Sequence, residues 1–214
     1  MIPRRLWFGL VLGALGWAEP MAAQDPRLAG HLSGPALESV QSIVDSARAL
    51  ALPSEPLVQK ALEGAAKGAS PDRIVTALQH LLADLVASRS ALGAAASDND
   101  LVAGASALRA GARAQDLRAL TGARAGQHLT VPLAVLSDLV SRGVSGDTAA
   151  AVVVALAIRG APDAEFNALE RDVTRDIQAG APPAAAASLR ARHGPPQGVP
   201  RHPPVEHPPH PSHP

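Results

Sequence analysis

The chain has 214 residues, carries 19 basic against 19 acidic side chains, and contains no cysteine and only 2% aromatic residues. Without cysteine it forms no disulfides and carries no bacterial lipoprotein anchor, so any fold it adopts rests on packing alone. Balanced charge, only two lysines (Lys60 and Lys67) and scattered arginines argue against a nucleic-acid partner, which needs clustered cations and stacking aromatics.

At the N-terminus, Arg4 and Arg5 precede the apolar run Leu6 to Ala18, and the small residues Met21-Ala22-Ala23 follow. A bilayer-spanning helix needs about 20 apolar residues, and this run is too short, so residues 1–23 read as a cleaved signal peptide. The expected location is outside the cytoplasm, either periplasmic or extracellular. Cleavage removes Trp7, Phe8 and Trp17 and leaves Phe166 as the only aromatic side chain. A core of Ala, Leu, Val and Ile suits closely packed helices better than sheets, since Ala is the best helix former and small side chains let helix axes approach. The expected fold class is therefore all-α, built of short antiparallel helices.

Residues 24–34, with Pro26, Gly30 and Gly34, show little periodicity and read as a linker. A first helix is expected from Pro35, with Leu37, Val40, Val44, Ala47 and Ala51 on one face, ending before Pro53. A second follows Ser54, with Leu57, Ala61, Leu62 and Ala65 on its buried side, and stops at Gly68. The third carries the stripe Ile74, Leu78, Leu81, Leu82 and Leu85. Ser70 stands at its N-cap, Pro71 at the first helical position, and Asp72 at the positive end of the dipole. After Gly93, the capping-type stretch Ser97-Asp98-Asn99-Asp100 marks a joint between an N-terminal helical part (35–93) and a C-terminal one (98–192). Further helices are expected near 98–110, 114–121, 131–142, 146–159, 162–178 and 182–192.

Gly68-Ala69-Ser70, Gly143-Val144-Ser145, Gly160-Ala161-Pro162 and Gly180-Ala181-Pro182 share one design. Gly accepts the left-handed conformation at a helix end and Ser or Pro starts the next helix, so each predicts a tight corner. An echo between Leu82-Ala83-Asp84-Leu85-Val86 and Leu136-Ser137-Asp138-Leu139-Val140 fits a degenerate helical repeat as well as it fits chance similarity among Ala-rich helices. Residues 193–214, rich in Pro and His and nearly free of aliphatic side chains, predict a disordered tail with local polyproline II character.

Chemistry-bearing motifs are few. His207, His210 and His213 recur at the three-residue period of polyproline II and, with His202, could bind zinc, nickel or copper weakly. No other cofactor is expected. His80 and Asp84 share a helix face but supply at most half of a metal site. His31 and His128 read as loop residues. Ser145 resembles a nucleophile elbow only superficially, because Asp147 stands where that turn needs glycine, and it reads as an N-cap. Gly64, Lys67 and Gly68 make no phosphate loop. Gly64 and Gly68 instead mark a close helix contact or a helix end. Glu165, Glu170, Arg171, Asp172 and Arg175 read as a solvated helix face, with Asp172 and Arg175 spaced to pair and Phe166, Leu169 and Val173 opposite. No reaction constellation is present, so the sequence predicts no enzyme. The expected role is a non-catalytic interaction or scaffold protein of the cell envelope with a protein partner, the alternative being metal buffering by the tail and the third reading an enzyme with an unrecognised helical active site.

The segment from Glu55 to Val75, EPLVQKALEGAAKGASPDRIV, resembles one shared by uncharacterised exported, Ala-rich helical proteins of high-GC bacteria. The resemblance extends loosely over residues 25–192. It implies an exported, all-helical protein and no particular activity.

Overall fold

The computed structural model describes residues 25–193. The predicted signal peptide and the tail with His202, His207, His210 and His213 lie outside the described residues. Within them the protein is all-α, with ten helices and no strand. These are α1 (Pro26–Ala29), α2 (Gly34–Ala49), α3 (Glu55–Ala66), α4 (Pro71–Leu92), α5 (Asp98–Ala110), α6 (Ala114–Ala123), α7 (Thr130–Ser141), α8 (Gly146–Ile158), α9 (Asp163–Gln178) and α10 (Pro183–His193). No helix among the described residues is long and apolar enough to cross a membrane.

All four predicted corners form, with Gly68, Gly143, Gly160 and Gly180 at positive φ. In each, the amide of the next residue donates to the carbonyl five residues back, as Val144 does to Leu139 at 3.1 Å and Ala161 to Leu156 at 3.1 Å. These bonds satisfy carbonyls that the helix end would otherwise leave unpaired. The α2–α3 corner uses the same hydrogen bond, Leu52 to the Ala47 carbonyl at 2.9 Å, but places Ala51 at φ 51° where glycine would be unstrained. Arg89 braces that corner from α4, donating to the Ala51 carbonyl at 3.0 Å and to the Ala94 carbonyl at 3.0 Å.

The long helix α4 is the hub of the first half and packs against α2, α3, α5 and α6. Helix α5 then lies on α7, α7 on α8 and α9, and α10 on both α8 and α9. Small residues bring α4 and α5 into close approach. A Cβ added to Gly104 would collide with the Ser88 hydroxyl and sit 3.1 Å from Leu92 Cδ1. The Ser88 hydroxyl is buried there without a hydrogen-bond partner. Gly64 plays a similar part, since an added Cβ would meet Ile74 Cγ1 at 2.9 Å.

Several local expectations change in the fold. The stretch read as a linker contains α1, whose Arg27 amide donates to the Asp25 carboxylate at 3.0 Å. Leu28 is fully buried and Leu32 nearly so. A one-turn helix is too short to display a period, which is why the pattern did not reveal it. Arg27 also bonds Glu55 through both guanidinium nitrogens, at 2.9 and 2.8 Å, tying α1 to α3. Arg27, with Gln59, holds the Glu55 carboxyl down to about 2. The joint at 93–98 is a turn between helices packed on one another, and buried residues from Leu28 to Ala187 form one cluster across it. Ser70 sits at the α4 N-cap in extended conformation, yet its side chain makes no capping bond.

Candidate functional site

A polar cleft of about 290 Å³ lies between the α4–α5 turn and the α6–α7 loop. Its lining includes Ser97, Asp100, Thr121, Arg124, His128 and Leu129. Its position follows from two local events in the chain.

The first is the N-terminus of α5. Ser97 and Asp100 form a reciprocal cap, in which the Asp100 amide donates to Ser97 Oγ at 3.2 Å and Ser97 Oγ donates to Asp100 Oδ2 at 2.7 Å. Asp100 is only 4% exposed, and its second oxygen works across the fold. Oδ1 accepts the Leu129 amide at 2.9 Å and the Thr130 hydroxyl at 2.6 Å, which pins the start of α7 to the start of α5. Burial pushes the Asp100 carboxyl up, but the bonds from Thr130, Ser97 and Leu129 outweigh it and hold it below the usual carboxylate range. His128, 85% exposed, places Nδ1 3.9 Å from Asp100 Oδ2.

The second event is the end of α6, where the Arg124 side chain, 7% exposed, turns inward. Its guanidinium donates to the Ala161 carbonyl at 3.2 Å and to Asp163 Oδ1 at 2.9 Å, and its carbon lies 5.1 Å from the centre of the Phe166 ring. A buried charge is tolerable only when paired and hydrogen-bonded, and here an ion pair, a carbonyl and the face of an aromatic ring share that task. Arg124 Nε is the exception, buried and without a hydrogen-bond partner.

This arrangement orders loops. The Ser97 hydroxyl donates a hydrogen bond to the Asp100 carboxylate and accepts that residue's amide, which are the bonds of a helix cap.

Of the residues weighed from sequence as ligands or catalytic groups, only His128 lies on this cleft, beside Ser97 and Asp100 of the capping stretch. His31 is exposed in the turn after α1. His80 is exposed on α4, while Asp84 takes Arg109 as its partner, at 2.6 Å. Ser145 caps α8, accepting the Thr148 amide at 3.4 Å. Asp172 and Arg175 pair at 2.8 Å, opposite the buried Phe166, Leu169 and Val173. That charged face of α9 is more than a solvated surface, because Glu170 receives Arg142 from α7 at 3.2 Å and Asp176 receives Arg190 from α10 at 2.7 Å. Among the described residues no group of three or more His, Asp or Glu side chains could hold a metal ion.

Arg124 was not singled out from sequence, and Asp100 was named only within the capping stretch. The Ser-x-x-Asp spacing at 97–100 signals the cap, but nothing local signals the bonds from Leu129 and Thr130. Arg124 lies beside Gly122 and Gly126 and reads as a surface residue until the α8–α9 corner is placed over it.

Helix α10 offers a different surface. Grooves of about 410 Å³ flank it on either side, one against α9 lined by Ala179, Ala181, Ala185 and Leu189, the other against α8 lined by Ala151, Val152, Ala155 and Ala191. Leu189 is 51% exposed and Ile158, at the end of α8, 71%.

Compared with known proteins, the chain matches no protein family, no curated protein and no solved structure. The fold places it in the all-α class.

Proposed function

We propose that the protein is a non-catalytic, exported interaction or scaffold module of the cell envelope, binding a partner protein through its C-terminal helices. The observation that supports this reading is the pair of grooves beside α10, where small apolar residues and the half-exposed Leu189 lie among the charged Asp176, Arg190, Asp147 and Arg192, together with the exposed Ile158 at the end of α8. Scattered exposed apolar residues are ordinary on proteins, but apolar side chains beside shallow grooves of small residues can receive a partner's side chains without much rearrangement. The signal-like N-terminal sequence is what supports the exported part of this reading.

The test is crosslinking of the tagged full-length protein in its native envelope, beside Leu189→Glu and Ile158→Glu variants whose helicity is checked by circular dichroism. A partner captured by the parent and lost from both folded variants supports the reading. Equal capture by all three, or capture by none, counts against this surface.

A further inference from the structure

Among the described residues, helix α10 is covered on its inner side only. Ala186 and Ala187 are buried against the rest of the fold, while Ala185, Leu189 and Arg192 are exposed and Ser188 is half-buried. Positions 185, 188 and 192 follow the helical spacing and so form one outward ridge. Leu189 flanks it on the α9 side and Ala191 on the α8 side. Small side chains on such a ridge let a second helix axis approach toward the short end of the usual range of about 8–10 Å.

The charges beside the ridge select what can cover it. A Cβ on Gly143, before α8, would touch Pro183 Cγ, at the start of α10, at 3.6 Å. Ala155, late in α8, shares a groove with Ala191 and Arg192, late in α10. The two helices therefore run parallel, which puts Asp147 and Arg192 at opposite ends of that one groove, with Ala151, Val152 and Ala155 between them. Asp147 has Arg113 as its partner at 2.6 Å, yet its side chain stays 75% exposed. Among the described residues the ion pairs of α10 are those of Arg190 with Asp172 and Asp176, so Arg192 has none. A partner of single-signed charge would meet a like charge at one end of the groove. An antiparallel copy of the same surface instead brings each Arg192 to the other's Asp147, and a two-fold contact makes every such pairing twice. The same arrangement sets the two Leu189 side chains against each other near the axis and opposes the dipoles of the two α10 helices.

We propose that the surface on α8 and α10 is a homodimer interface, in which α10 of one protomer lies antiparallel on α10 of a second copy and each Arg192 pairs with the other's Asp147. This inference rests on the partner-binding reading of that surface and names its occupant. Helix α10 has 11 residues and is about 16 Å long. A contact of that length is at the small end of specific interfaces, so the dimer forms with micromolar or weaker affinity and loosens as salt screens its two ion pairs.

The experiment is sedimentation equilibrium of the purified protein at about pH 7 and low salt, from about 10 μM to about 1 mM, a range that spans such dissociation constants. The parent is expected to dimerise, and Leu189→Glu to stay monomeric throughout. Arg192→Glu and Asp147→Arg, each verified as folded by circular dichroism, are expected to dimerise at least about tenfold more weakly, and the chain carrying both to regain most of that loss. A parent that stays monomeric, a folded single variant as tight as the parent, or a double variant no tighter than the single ones would each overturn the homodimer. A monomeric parent whose crosslinked partner is still lost from Leu189→Glu would overturn the homodimer alone and leave the binding surface standing.

Discussion

Helix α5 is held in two places by opposite physics. At its middle, Gly104 lies against Ser88 of α4 in a close crossing where the buried Ser88 hydroxyl has no hydrogen-bond partner and contact depends on the absence of a side chain. At its N-terminus, Asp100 collects bonds from Ser97, Leu129 and Thr130, so contact there depends on a charge with its partners in place. The close crossing tolerates changes in pH and salt but not in volume. The polar seam tolerates small shifts in volume but not the loss of its charge.

The largest effect is expected from volume at the crossing. Gly104→Val drives a branched side chain into Ser88, Leu92 and Leu117 and should cost about 3 kcal/mol in urea unfolding. Gly104→Ala should cost less, and Ser88→Ala in the same chain should restore at least half of that loss by removing the colliding hydroxyl. Additive effects of the two alanine changes would refute the close crossing.

Next comes the seam. Asp100→Ala removes a cap and strands the buried Leu129 amide, a loss of about 2 kcal/mol. Because the folded state holds the Asp100 carboxyl below its ordinary value, its contribution is complete above the unfolded pKa near 4. It disappears as pH falls through the lower folded value. Stability measured from pH 5 down to pH 2 should therefore fall less steeply in Asp100→Asn than in the parent, while Gly104→Val should leave that slope unchanged. Equal slopes in parent and Asp100→Asn would contradict the assignment.

The smallest effect lies outside both regions. Ala51 occupies a left-handed corner position that the corners at Gly68, Gly111, Gly143, Gly160 and Gly180 give to glycine. Ala51→Gly should stabilise by about 0.5–1 kcal/mol through relief of backbone strain, in part offset by greater freedom in the unfolded chain. Thermal unfolding measures it, and a lower melting temperature would mean that the Arg89 brace has already absorbed the strain.

Helix spacing, the four glycine corners and the apolar stripes of α2, α3, α4 and α9 were legible in the sequence, apart from Ala51, which lies exposed in the turn after α2, because each arises within a few residues along the chain. A turn that needs positive φ selects glycine locally, and a buried face imposes the helical period on its own helix. The Asp172–Arg175 pair and the Ser145 cap were legible for the same reason. What only the tertiary structure decided was partnership between distant segments. Asp100 bonds residues 29 and 30 positions away, Arg124 bonds a carbonyl 37 positions away, and α1 acquires its place through Arg27 and the burial of Leu28. No local pattern encodes such bonds, because hydrogen bonding and burial depend on which surfaces meet, and that is settled only when the whole set of helices packs.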